Sequence, residues 1–489
     1  MTQTAVTRTV LADALRADCE ACAAALPPGA VRTAVAAVAE RLAEPVLRVA
    51  VGGRLNAGKS TLVNALLGQR LAPTHRDECT MVSAAFVFGY ANQVLVHLRD
   101  GRTQTVAGRP GGGVPDRLPH PREDIDHLTV LAVNRRLDSA YVFVDTPGRD
   151  ALSGLDDYAM RSVADADALI LVMPRPGEGE KQALEEYVAA VAGTHLSASN
   201  VIGVLSRIDE LGEGDESPAQ VRAQAVRVAD RAMRHLGPMV AEIVPVAGLV
   251  AQTARGADFT ERHMLALRQI AAADPRPPAL LYAPDFFLDQ APASVPRPVR
   301  EELLALLGLF GLRVALAEVD AGTTDTEALL AALAAASGVD RLLDAAAARF
   351  LARADPLRTN SALSRLEAVL ATAAPAPALS ELAARVREWR RRPELRTAEL
   401  AAVARAAQQG VLPLDDDATA GLHLLLSADS AADRLGLAAG APPQEVAAEA
   451  HRRALLWRAM EGDVPRRSRP HVVLVREMYE QLHRQSAQT

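Results

Sequence analysis

The chain has almost no lysine. Of its 53 basic residues only Lys59 and Lys181 are lysines, and the rest are arginine. A lysine kept in that background marks a place that needs a compact point charge rather than a planar fork. Aromatic residues make up only 3% while 49% of residues are hydrophobic, with alanine prominent, a balance that favours helices packed through small side chains. The three cysteines, Cys19, Cys22 and Cys79, are too few for a disulfide framework and fit a reducing compartment. Cys19 and Cys22 have CxxC spacing without a second pair, and read as small helix residues. There is no uncharged apolar run of about 18 residues, and Met1 to Pro28 carries Arg8, Asp13, Arg16 and Asp18. Neither a transmembrane span nor a secretory signal is expected. A formal net charge of −7 speaks against a globally basic nucleic-acid binder. A chain of 489 residues is too long for one core and calls for two or three domains.

What is present centres on Val49–Gly68, read as a buried strand, a glycine loop and the start of a helix. Within it Gly53, Arg54, Leu55, Asn56, Ala57, Gly58, Lys59 and Ser60 match G-x-x-x-x-G-K-[ST]. The glycines let backbone N–H groups curl round an anion, and the helix start adds its positive end. Lys59 is expected on the β- and γ-phosphates, the Ser60 hydroxyl on Mg²⁺, and Ala57 and Thr61 beside the phosphates.

Before this stretch, two helices broken at Pro27-Pro28-Gly29 are expected. Val10, Leu11, Ala14, Leu15 and Ala21 lie on one face of the first, and Val31, Val35, Val38 and Leu42 on one face of the second. After it, strands are expected at 81–89, 93–98, 128–133, 140–144, 168–173, 200–205 and 242–246, alternating with helical stretches: a doubly wound sheet with ligands at its strand ends. From Pro296 strand signals nearly vanish and helical spacing takes over, with Thr324 and Glu327 as a capping box.

Further motifs fall at strand ends. Asp145-Thr146-Pro147-Gly148 follows an apolar strand; Asp145 would hold Mg²⁺ through water and the Gly148 N–H would meet the γ-phosphate. Thr80, with Thr74 as competitor, could place a hydroxyl on the metal and order its loop. Ser206-Arg207-Ile208-Asp209 stands where GTPases commonly carry [NT]-K-x-D. Asp209 would accept from guanine N1–H and the exocyclic amine, and Arg207 could lie over the ring. Ala247 and Gly248 offer a backbone contact to the base.

Taken together, the phosphate loop, Thr80, DTPG and SRID resemble the dynamin superfamily, and more closely the isoniazid-inducible dynamin-like proteins of actinobacteria. The stretches that carry this are GRLNAGKSTLVNALLG (53–68), APTHRDECT (72–80), GVLSRIDELG (203–212), PVAGL (245–249) and LGLFGLRVALAEVDAGTTD (307–325). The resemblance implies an α/β-plus-α fold: a P-loop GTPase domain with a mostly parallel sheet, at 45–275, and an elongated helical neck or stalk at 276–489. The helices of 1–44 would join that neck. It further implies GTP and GDP as ligands, GTP hydrolysis, homodimerisation through the nucleotide domains or pairing with a homologous partner, and membrane remodelling. The expected place is cytoplasmic, peripheral at the inner face of the cell membrane, with anionic lipid as partner and no nucleic acid.

Two departures stand out. Leu55 replaces a Gln usual in dynamins, and Arg149 follows DTPG where small GTPases use a water-orienting Gln. Asn56 lies where potassium-activated GTPases carry an Asn that helps to bind K⁺, which would make it catalytic alongside Lys59 and Thr80; otherwise it braces the loop. For a membrane contact, Trp389 among Arg385, Arg387, Arg390, Arg391 and Arg392 could snorkel, or could lie on a solvated helix face. Val411-Leu412-Pro413-Leu414 could be an exposed tip or a packed turn. Arg466, Arg467 and Arg469 form a small basic loop without an assigned role. A regulatory or assembly GTPase acting on protein or RNA, or a slow GTP-controlled scaffold, are the alternatives.

Overall fold

A computed structural model describes residues 10–54, 56–73, 82–109, 111–115, 117–134, 141–145, 166–174, 200–211, 216–236, 240–273, 280–408, 410–427, 430–438, 440–466 and 468–487. Strands are β1 (Leu47–Gly53), β2 (Ala84–Phe88), β3 (Gln93–Leu98), β4 (Thr103–Ala107), β5 (Ile125–Ala132), β6 (Tyr141–Asp145), β7 (Ala168–Met173), β8 (Val201–Leu205) and β9 (Glu242–Pro245). They form one nine-stranded sheet in the order β4-β3-β5-β2-β6-β1-β7-β8-β9. The half from β6 to β9 is parallel, β2 runs antiparallel to β6, and β3 and β4 fold back as an antiparallel edge. β7 and β8 are buried along their whole lengths, as expected of β-branched and leucine runs covered on both faces. The expected strands are present, those at 93–98 and 168–173 with the same bounds and the others with ends shifted by one to three residues. β4 follows Asp100-Gly101, where a turn between strands is expected, but its mostly exposed residues carry no apolar alternation from which to read its bounds.

The helices are α1 (Val10–Ala25), α2 (Ala30–Ala43), α3 (Lys59–Leu67), α4 (Pro218–Leu236), α5 (Gly248–Arg255), α6 (Glu261–Ala271), α7 (Pro284–Gln290), α8 (Arg297–Asp320), α9 (Thr326–Ser337), α10 (Val339–Arg349), α11 (Ala354–Thr372), α12 (Pro377–Arg390), α13 (Thr397–Gln408), α14 (Asp416–Ser427), α15 (Ala431–Arg434), α16 (Pro443–Asp463) and α17 (Arg469–Ala487). No described helix is long and apolar enough to cross a membrane. The helix from Thr326 is capped by Asp325, whose side chain accepts from the Ala328 N–H at 2.8 Å, in place of the expected Thr324 box.

Burial divides the helices into groups. One face of the sheet packs against α4, α6 and α8, with Leu303, Phe310, Leu329 and Leu333 in the same cluster as Leu169 and Leu205. The other face takes α3 and α10, and its cluster runs on to Phe350 and Leu357. The expected boundary near residue 275 therefore cuts through cores that continue to Leu357. A third cluster joins α1 and α2 to α11 and α12, and a fourth holds α13 to α17.

In α1 the buried stripe is Ala12, Leu15, Cys19 and Cys22, while Val10 is exposed, so the expected face is rotated. The cysteines act as small apolar residues; burial pushes the Cys19 thiol up to about 12. The start of α1 is capped from a distant element: the Asp355 carboxylate accepts from the N–H groups of Leu11 and Ala12, each at 2.9 Å. Trp389 is buried and donates Nε1 to Asp18 at 2.8 Å, so it does not snorkel. Its neighbours Arg385 and Arg390 pair with Asp18 and Glu367. Leu412 is fully buried and the Val411 carbonyl accepts from Ser468, which makes this a packed turn.

The N-terminal helices meet the sheet through a buried ion pair. Arg41 of α2 donates to Asp167 at 2.5 Å, and the Arg48 N–H of β1 donates to the same carboxylate oxygen at 2.9 Å. Burial pushes the Arg41 guanidinium down and Asp167 opposes it. Removing one partner of such a pair strands the other charge in the interior. Asp167→Ala should lower the stability of the sheet with its N-terminal helices by roughly 3–5 kcal/mol. An unfolding midpoint in denaturant equal to that of the unmodified chain would refute this.

Candidate functional site

The site is built at the carboxyl ends of β1, β6 and β8. β1 pairs with β6 so that Val51 lies opposite Asp145, and with β7 so that Gly53 lies opposite Val172. Gly53 has φ +142°, and a Cβ there would stand 2.3 Å from the Val172 carbonyl oxygen. Only glycine fits at that close approach. Gly58, at φ +93°, is the left-handed N-cap of α3. Asn56 also takes positive φ, at 59°, a conformation that asparagine tolerates better than most residues. The loop thus turns twice to bring its N–H groups to the start of a helix.

Lys59 is buried and its Nζ donates to the Arg54 carbonyl across the loop at 2.9 Å. Burial pushes its ammonium down, while Asp145 holds it up. Ser60 donates its hydroxyl to Asp145 Oδ2 at 2.7 Å. Asp145 Oδ1 is buried with no partner, and burial pushes that carboxyl above its ordinary range, with Lys59 and Ser60 opposing. A hydroxyl oxygen beside a carboxylate with one orphaned oxygen is a donor set suited to a small hard cation. The residues present therefore fit Mg²⁺.

The exit of β8 ties the base motif to the phosphate loop. Ser206 is buried and donates its hydroxyl to the Ala57 carbonyl at 2.7 Å. Arg207 adopts the left-handed conformation at φ 53°, ψ 37°, and opens a short turn at Ile208–Glu210. Its guanidinium donates to the Asn56 carbonyl at 2.6 Å and to Glu210 at 2.9 Å. It bridges to the loop rather than standing free. Asp209 lies on the same turn; desolvation and the nearby Glu210 push its carboxyl up, while a backbone hydrogen bond and Arg207 oppose the shift.

On the far side, Ala247 caps α5 and its N–H donates to the Ser337 carbonyl at 2.9 Å. A Cβ on Gly248 would stand 3.6 Å from Thr61 Cγ2, so the loop after β9 lies against α3. Thr80 and Gly148, with Leu55, Thr74 and Arg149, fall outside the described residues. Sequence reading passed over Asn64. Buried in α3, it accepts from the Leu71 and Ala72 N–H groups at 2.9 and 2.8 Å and donates to the Ala72 carbonyl at 2.9 Å. It anchors the chain leading to Thr80. An amide inside the apolar run LVNALL was the available signal.

Known proteins can be set beside this geometry. Residues 49–208 match the sequence profile of the Dynamin family. The isoniazid-induced protein IniC of Mycobacterium tuberculosis is 33% identical over 419 residues, 82% of each chain. A bacterial dynamin-like protein of Nostoc punctiforme is 25% identical over 164 residues, 30% of this chain and 24% of its own. A solved bacterial dynamin from an oligomerised pair aligns with all of this chain and 77% of its own, at 12% identity and a TM-score of 0.30, too low to carry an argument.

Two outcomes follow from the geometry. Ser206→Ala strands the buried Ala57 carbonyl, whereas Arg207→Ala removes a half-exposed contact. The first should weaken GDP binding by roughly tenfold and the second by less, from a lost buried bond of about 1–3 kcal/mol; a titration with fluorescent GDP that ranks them the other way would contradict this. Protons compete with a cation for Asp145. Because burial holds its carboxyl above the ordinary range, Mg²⁺-dependent binding of GTP should begin to fail on acidification at a higher pH than an ordinary carboxylate would give. GTP binding measured in EDTA should lack this step, as should Asp145→Asn.

Proposed function

Since the chain belongs to the dynamin family and is a GTPase, we propose that its turnover of GTP is coupled to dimerisation of the nucleotide domains and to membrane remodelling at the inner face of the cell membrane. The observation that carries the reading is the convergence of phosphate loop, Asp145 and base motif at one end of the sheet, with the Ser206 and Arg207 side chains bonded to the loop. In this reading the N–H groups of Gly53 to Thr61 and the Lys59 ammonium hold the β- and γ-phosphates. Ser60, Asp145 and Thr80 hold Mg²⁺, which when bound neutralises charge on the phosphates. Gly148 meets the γ-phosphate. Asp209 selects guanine, with Ser206, Arg207, Ala247 and Gly248 shaping the base site.

With Leu55 and Arg149 at positions where relatives use glutamine, water is oriented by backbone, by a partner subunit or with help from a K⁺ held near Asn56. The proposed division is a GTPase domain at 45–275 with 1–44 and 276–489 as neck and stalk, and the cores shared as far as Leu357 support counting the helices up to there with the first unit.

The test is GTP turnover per molecule across a protein concentration series, with and without anionic liposomes, in KCl and in NaCl at matched ionic strength. Specific activity should rise with protein and with liposomes, and fall in NaCl. Flat, slow turnover indifferent to lipid would favour the scaffold reading. Equal rates in the two salts would remove the cation from Asn56.

A further inference from the structure

Packing removes both sequence candidates for a lipid contact, since Trp389 and Leu412 are buried. It leaves another on α16. Leu455 and Leu456 are consecutive yet 51% and 47% exposed, while their helix neighbours Ala454 and Trp457 are buried in the fourth cluster. Arg452, Leu455, Leu456 and Ala459 follow i, i+3, i+4, i+7 spacing, so they share one outer face. All four are exposed.

Charge on this surface is unbalanced. Arg452 is neutralised by Glu449 at 2.7 Å, and Glu461 is taken by Arg476. Among the described residues, Arg458, Arg466 and Arg469 have no carboxylate partner, and Asp463 is the acidic group left beside them. Arg469 opens α17, at the positive end of a helix dipole, where a cation without an anion is disfavoured. Single exposed leucines are ordinary on any surface. Two adjacent ones with Arg458 beside them in the helix, and Arg466 and Arg469 on the turn that follows it, form the pattern of a helix lying on an anionic interface, leucines in the acyl boundary and guanidinium groups among the phosphates.

We propose that the outer face of α16, from Arg452 to Ala459, together with Arg466 and Arg469 on the following turn, is the surface by which this chain docks on anionic lipid. It rests on the membrane reading above and adds the place and the headgroup charge.

The test is co-sedimentation of the full chain with phosphatidylcholine vesicles and with vesicles containing phosphatidylglycerol, at low and high salt. The unmodified chain should bind the anionic vesicles, release in high salt and ignore the zwitterionic ones. Leu455→Ser with Leu456→Ser, and separately Arg458→Glu with Arg466→Glu, should each weaken binding by roughly tenfold or more. Leu265→Ser, an exposed leucine on α6 that is 55% accessible, should change nothing. Unaltered GTP turnover without vesicles shows that each variant is folded. If the unmodified chain binds and both double variants bind equally well, this surface is wrong and the membrane reading stands. If the unmodified chain binds neither vesicle, both fall. If the leucine variant instead loses self-association without lipid, as read by sedimentation velocity, the face is an interface between copies and the lipid assignment is overturned.

Discussion

Lys59, the first residue of α3, and Asp145, the last of β6, are opposite charges held inside the protein, and this end of the sheet is arranged around keeping them there. Burial works against both, pushing the ammonium down and the carboxyl up, while each opposes the shift of the other. A buried ion costs several kcal/mol unless paired and hydrogen-bonded. Lys59 has the Arg54 carbonyl, and Asp145 has Ser60 on one oxygen and nothing on the other. An incoming phosphate and cation would complete both sets, so ligand binding relieves a cost that the fold carries. The loop also needs Gly53 against Val172, since any side chain there would meet the Val172 carbonyl oxygen and force β1 and β7 apart where the loop begins.

The same end of the sheet is joined to distant helices. α5 starts at the base loop and packs against α8, which is kinked at Gly308, with φ 60° and ψ −178°. The kink frees the Leu306 carbonyl, which Thr253 of α5 takes with its hydroxyl. At the opposite end, Arg41 and Asp167 fasten α2 to the sheet, and Arg358 of α11 donates to the Leu42 carbonyl. The N-terminal helices are therefore bonded both to the sheet and to helices more than three hundred residues later. Packed, hydrogen-bonded elements thus run from this end of the sheet to the N-terminal helices.

Local chemistry was legible because it lies in short stretches whose backbone needs are strict. The glycines of the phosphate loop, the carboxylate at the end of β6 and the apolar runs of β7 and β8 could be read directly, and the structure places them together. The face of α1 was misread because cysteine was not counted as apolar there, and the cap before α9 was put one residue early. The polar edge strand β4 has no pattern to read. What the motif position of Arg207 could not show is the hydrogen bond that its guanidinium donates to the Asn56 carbonyl, which depends on the left-handed backbone at that residue.

By itself the sequence determined the nucleotide-binding stretches and the parallel strands, because each depends on residues within a few positions of one another. Only the tertiary structure decided which polar groups find partners across hundreds of residues. Asp355 caps α1, Asp18 takes the Trp389 indole, and α8 to α10 close the sheet's cores instead of extending the stalk. Those outcomes turn on the competition of every buried donor and apolar face for a place in the interior. Such a competition is settled when the whole chain packs, and no single stretch records it.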